Sequence, residues 1–145
     1  MFVCHGNICR SPMAEFIFKD MLKKNGITDV YVSSSATSSE ELGNPVYPPA
    51  QRELSRHSIS CKGKVAVKLT AADYDKYDLF ICMDSNNIRN IGRIFNDTEG
   101  KVKKLMEYAP YGEDVADPWY TGDFEKTYKD IYAGCLGLLE EIKSK

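Results

Sequence analysis

The sequence holds one tryptophan and two histidines in 145 residues. Two imidazoles are too few for a histidine-based metal site. The five cysteines, at positions 4, 9, 61, 82 and 135, are odd in number and widely scattered, which is not the dense, even framework of a small disulfide-stapled secreted domain. Reduced thiols are expected. No apolar run approaches the roughly 18 to 20 residues of a membrane span, and Cys4, His5 and Arg10 stand where a signal peptide would be apolar. A cytosolic protein without membrane attachment is therefore expected. Basic clusters are mere pairs, Lys23-Lys24 and Lys103-Lys104, and 19 Lys and Arg against 21 Asp and Glu leave a net charge of -2. That balance argues against nucleic acid as a partner. No internal repeat or low-complexity tract is visible.

What is present suits one folded domain over residues 1 to 145. The sequence is 43% hydrophobic and 28% charged, far from the disordered regime. A chain of this length buries roughly 68 to 70% of its unfolded surface. Phe2-Val3 reads as a short strand, since only three residues precede Cys4. A helix then opens at Ser11-Pro12, with Ser11 as N-cap, and its apolar face runs through Met13, Ala14, Ile17, Phe18, Met21 and Leu22 to a stop at Asn25-Gly26. Val30-Tyr31-Val32 predicts a second strand, and the Ser-rich stretch 33 to 39 its end and a loop. Gly43 to Pro49 reads as loop and Ala50 to Arg56 as a short helix ending near His57.

Farther on, Tyr77 to Met83 is an apolar run expected of a strand covered on both faces. Ser85 to Ile94 reads as helix, Val102 to Met106 as a weaker strand, and 109 to 120 as loop. Phe124, Tyr128, Ile131, Cys135, Leu138 and Ile142 stripe a long final helix. This alternation predicts an α/β fold with an open, mostly parallel sheet of about four strands and helices on both faces. Ligands of such sheets bind outside the carboxyl ends of the strands, where residues 4 to 11 lie.

Cys4, Arg10 and Ser11 fall in that loop with Gly6 and Asn7, residue types that accept tight or left-handed backbone. A loop entering a helix turns successive N–H groups inward and makes an anion nest suited to phosphate. The same donors and cationic Arg10 stabilise a thiolate at Cys4, making it a nucleophile. Arg10 can grip two phosphoryl oxygens at once, and the Ser11 hydroxyl can donate to the sulfur as it leaves. The alternative is an inert cysteine buried under a helix cap. Asp117, on the stiff Asp117-Pro118-Trp119-Tyr120 segment, is the candidate proton donor for a departing oxygen and then base for water; spacing alone favours a turn-initiating Asp-Pro instead. Trp119 and Tyr120 either flank an aromatic substrate or anchor their loop.

Together, CHGNICRSP at the amino end and DPWY in the last third, with CMDSNN around Asp84 and GDFEKTY after DPWY, resemble the low-molecular-weight protein tyrosine phosphatase family. The resemblance spans almost the whole chain. It implies a single-domain, three-layer, flavodoxin-like fold with four parallel strands. It further implies hydrolysis of phosphotyrosine in proteins, with Cys4 as nucleophile, Arg10 as phosphate clamp, Asp117 as general acid, and no metal or cofactor. The phosphate loop would comprise His5, Gly6, Asn7, Ile8, Cys9 and Ser11, with Ser34 and Asp84 as supporting residues. Cys9, standing for the family's second loop cysteine, would pair reversibly with Cys4 and protect it from overoxidation; otherwise it packs under the loop. Weak self-association is left open.

Departures from the family are also legible. His5 replaces a common aliphatic residue and is expected to face solvent. Glu40 stands where relatives often place an aromatic on the pocket wall, which leaves aromatic contact to Trp119 and Tyr120. Competing activities on the same fold include arsenate reduction, for which Cys82 lacks a nearby partner cysteine. Arginine phosphatases carry threonine in place of Ile8 and lack the bulky pair after Asp-Pro. A phosphoryl carrier without turnover would have no use for Asp117. His57, Cys61, Cys82 and Cys135 read as structural.

Overall fold

The computed structural model describes residues 1–145. Four parallel strands, β1 (Phe2–Cys4), β2 (Ser34–Ala36), β3 (Phe80–Cys82) and β4 (Val102–Lys104), lie in the order β2-β1-β3-β4. β1 pairs with β2 from Phe2 opposite Ser34 to Cys4 opposite Ala36, and with β3 from Phe2 opposite Ile81. The helices are α1 (Arg10–Lys24), α2 (Pro48–Ser55), α3 (Ser85–Ile91), the single turn α4 (Pro118–Thr121) and α5 (Phe124–Lys143), with 3-10 turns at Ala71–Asp75 and Leu105–Glu107. The alternating strand and helix order is thus realised as a parallel sheet.

Side-chain alternation along the strands divides the core in two. Phe2, Cys4, Ile81 and Met83 join the larger cluster with Met13, Ile17, Leu54 and Ile131, from α1, α2 and α5. Val3, Phe80 and Cys82 join Leu69, Tyr74 and Ile91 on the other face, beneath α3. Burying a side chain such as Ile17 or Phe80 contributes about 1.5–3 kcal/mol. Cys4 therefore roots the strand end in the core shared by α1 and α5. Cys61, Cys82 and Cys135 are free and buried as expected of packing residues. His57 stacks on Tyr128 at 3.6 Å and bonds Glu53, which fastens the end of α2 to α5.

Several boundaries differ from the sequence expectation. β2 is Ser34–Ala36, not Val30–Val32. Val32 is buried but Tyr31 is 77% exposed; the strand runs Ser34-Ser35-Ala36 instead, and it tolerates the buried Ser34 because that hydroxyl joins a polar network with Asn7 and Glu15. α2 begins at Pro48, whose missing N–H costs nothing in a first helical turn. β3 and β4 are shorter than the predicted strands, α3 stops at Ile91, and Leu105–Glu107 turns away as 3-10 helix. Within the predicted 109–120 loop, α4 closes a turn at Pro118.

Two helical glycines set the seat of α5. A Cβ at Gly137 would stand 1.8 Å from the Tyr108 carbonyl oxygen, and one at Gly134 would stand 2.5 Å from Leu105 Cγ. Gly137→Ala should therefore cost about 3 kcal/mol, the upper part of the overpacking range. The check is a fall in the urea midpoint at unchanged m-value; an unmoved midpoint would contradict this close crossing.

Candidate active site

In a sheet ordered 2-1-3-4, chain connections leave β1 and β3 toward opposite edges, so the crevice opens beyond their carboxyl ends. Cys4 ends β1, and Asp84 follows the end of β3. Five residues join Cys4 to Arg10, the first residue of α1. Asn7 takes a left-handed conformation, φ 59°, whereas Gly6 does not. The left-handed residue is thus the asparagine, held by its own side chain. Asn7 Nδ2 donates to Ser11 Oγ at 2.8 Å and to Ser34 Oγ at 2.9 Å, and Asn7 Oδ1 accepts the Val67 N–H at 3.1 Å.

Those bonds set the direction of the hydroxyl protons. With an amide proton arriving at each oxygen, Ser34 donates onward to Glu15 Oε1 at 2.6 Å. Ser11 is left free to donate to Cys4 Sγ at 2.9 Å. The Asn7 backbone N–H also reaches that sulfur, at 3.3 Å. Helix α1 therefore starts one residue before the predicted N-cap. Cys9 occupies the cap position without a side-chain cap bond, and Ser11 lies inside the first turn with its hydroxyl on the sulfur. Burial, followed by the negative charge of Cys4 and Asp117, pushes the Cys9 thiol up to about 12, so near neutral pH it stays protonated.

Arg10 is 3% exposed. Its Nη1 donates to Asp84 Oδ2 at 2.6 Å and to the Val115 carbonyl at 2.8 Å, while Nη2 lies 3.5 Å from Asp117 Oδ2. Burial works against the guanidinium charge, but Cys4 and the two carboxylates outweigh it and hold Arg10 above its ordinary range. Asp84 is itself fixed as the N-cap of α3, accepting from the Asn87 N–H at 2.9 Å. Asp117 caps α4 through Oδ1, which accepts the Trp119 N–H at 3.0 Å. One Asp117 oxygen is thereby anchored and the other faces Arg10.

These groups surround a cavity of about 250 Å³. Cys4, Gly6, Ile8, Cys9 and Arg10 supply its floor and sides. Asp117, Trp119 and Tyr120 from the α4 segment line it too, together with His5, Glu40 and Glu41. Tyr47 packs on the Trp119 ring at 4.9 Å and so supports the aromatic wall. His5 is exposed, as expected, and meets Glu40 at 3.0 Å. Asn7, Ser11 and Ser34 stand behind the floor and are buried. No group of three or more His, Cys, Asp or Glu side chains is arranged to hold a metal ion.

Residues 1–145 match the model of the low molecular weight phosphotyrosine protein phosphatase family throughout. The chain belongs to this family. Among relatives of this family member is the low molecular weight protein-tyrosine-phosphatase PtpA of Staphylococcus aureus, 39% identical over 142 residues, which cover 97% of this chain and 91% of the relative. The crystal structure of YfkJ from Bacillus subtilis superposes with a TM-score of 0.94 at 37% identity, covering 99% of this chain and 92% of that one. A low molecular weight protein tyrosine phosphatase from Streptococcus pyogenes gives 0.83 at 36% identity, over 97% and 89%.

Some of what completes the site in this family member went unread in the sequence. Glu15 ends the chain of hydrogen bonds behind the loop, and Lys64, its pKa lowered by burial despite Glu15 at 3.7 Å, donates to the Ser34 carbonyl. Glu41 lines the cavity next to Glu40, and the Val115 carbonyl holds Arg10. The only available signal was Glu15 on the otherwise apolar face of α1, where a buried carboxylate demands partners.

Proposed function

We propose that the protein is a cysteine-dependent protein tyrosine phosphatase, with Cys4 attacking phosphorus from within a phosphate-binding loop. The observation that carries this reading is Cys4 Sγ receiving the Ser11 hydroxyl at 2.9 Å and the Asn7 N–H at 3.3 Å on the floor of a cavity that also holds Arg10 and Asp117. Both donors favour sulfur as an anion.

In the first step the Cys4 sulfur forms an S–P bond as the P–O bond to tyrosine breaks, and Asp117, entering protonated, gives its proton to the departing phenolic oxygen. In the second, ionised Asp117 takes a proton from water as that water attacks phosphorus. The S–P bond then breaks, the electron pair returns to sulfur under the Ser11 hydroxyl, and inorganic phosphate leaves. Arg10 keeps Nη1 on Asp84 and Val115, so Nη2 is the arm offered to the phosphoryl oxygens. Trp119 and Tyr120 would face the tyrosine ring, while Ser34 and Asp84 keep the loop and Arg10 in place.

The same reading makes residues 1–145 one catalytic domain working in the cytosol on phosphotyrosine proteins, without metal, cofactor, nucleic acid or membrane. Weak self-association is compatible with it. Support for the setting is that no helix is long and apolar enough to cross a membrane.

Matched peptides bearing phosphotyrosine, phosphoserine or phosphoarginine test it. Phosphotyrosine should be hydrolysed fastest, because Ile8 and the Trp119 wall suit an aryl group. Preference for phosphoarginine would overturn the specificity, and formation of phosphocysteine without release of phosphate would favour a carrier.

A further inference from the structure

The lining of the cavity carries a charge that hydrolysis itself does not use. Glu40 is exposed and meets only exposed His5, at 3.0 Å. Glu41 Oε2 accepts from the neutral Asn44 amide at 2.6 Å. Neither has a Lys or Arg partner. The Glu41 stem lies against the loop, its Cγ 3.4 Å from the place a Cβ on Gly6 would take. Arg10 is the sole Lys or Arg lining the cavity, and it lies deep with Nη1 committed to Asp84 and Val115. A dianionic phosphoryl group must therefore pass two standing carboxylates, while Asp117 is neutral when it serves as acid. In the same cavity lining, Trp119 is 53% and Tyr120 85% exposed, and such rings attract cations to their faces.

We propose that Glu40 and Glu41, lining the same cavity as Trp119 and Tyr120, make the protein select phosphotyrosine whose neighbouring residues are lysine or arginine. This rests on the phosphatase reading above. A basic neighbour neutralises these carboxylates as the phosphate enters, and an acidic one adds to the repulsion.

The experiment measures kcat/KM on matched phosphotyrosine peptides carrying Lys, Gln or Glu beside the phosphotyrosine, with p-nitrophenyl phosphate as a substrate lacking neighbours. Lys-flanked peptides should exceed Glu-flanked ones about tenfold, as a few partly exposed charge contacts supply. The gap should narrow at 1 M salt, where the Debye length is about 3 Å. E40Q/E41Q should level the ratio and E40K/E41K invert it, an inversion that misfolding cannot produce. Wild-type protein that hydrolyses p-nitrophenyl phosphate without preference among peptides overturns this inference alone, as does an unaltered preference in both variants. Hydrolysis of none of these substrates by wild-type protein overturns the phosphatase reading and this inference with it.

Discussion

Cys4→Ser should leave a protein that folds and binds phosphate but turns over no measurable ester, a loss of about 10⁴-fold or more in kcat. Serine keeps the shape of the side chain and can still accept from Ser11 and the Asn7 N–H. It cannot supply an anion near neutral pH, because two hydrogen bonds and Arg10 do not bring an aliphatic hydroxyl into that range. The thiol begins from a far more acidic reference. Initial rates with p-nitrophenyl phosphate read the loss, and mass spectrometry of rapidly acid-quenched protein reads its cause. Wild type should carry a phosphoryl group on the peptide containing Cys4, and the variant none. A Cys4→Ser rate above about 1% of wild type would place the nucleophile elsewhere. Cys9 is no substitute, because it stays protonated with its thiol pushed up to about 12.

Asp117→Asn should lower kcat by about 10²- to 10⁴-fold while KM changes little, since a proton donor is needed in the transition state more than in the bound substrate. The loss should depend on the leaving group. Phosphotyrosine, whose phenolate is strongly basic, should suffer far more than p-nitrophenyl phosphate, whose nitrophenolate departs without help. Asparagine is the informative replacement because Asp117 also caps α4, and asparagine caps about as well as aspartate. Asp117→Ala should show the same leaving-group dependence with about 1 kcal/mol of added instability from the lost cap. Equal losses on both substrates would reduce Asp117 to a structural cap.

The Cys4 loop and the Asp117 segment, which the structure brings to one cavity, were legible because their signals are local. A cysteine, an arginine six positions on and a helix start need no distant partner to define an anion nest, and an Asp-Pro pair with two aromatics forms one short segment. The helices were legible for the same reason, as in the stripe from Phe124 to Ile142 that matches α5. Reading failed where a polar residue did structural work. Ser34 and Ser35 are fully buried in β2, yet hydropathy and strand propensity moved that strand back to Val30–Val32. Ser11 looked like a cap because Ser-Pro usually is one, whereas its hydroxyl is spent on the sulfur seven residues earlier.

By itself the chain determined the α/β alternation and singled out the Cys4 loop, Arg10 and Asp117 as candidates, since each follows from periodicity or from neighbours a few residues apart. Only tertiary structure decided how they are held. Arg10 meets Asp84 and Val115 across 74 and 105 positions, Asn7 meets Ser34 and Val67 across 27 and 60, and Glu40 and Glu41 come to line one cavity with Trp119. Such meetings are products of strand order. The 2-1-3-4 sheet opens its crevice between β1 and β3 and brings together there loops whose separation along the chain carries no trace of their contact.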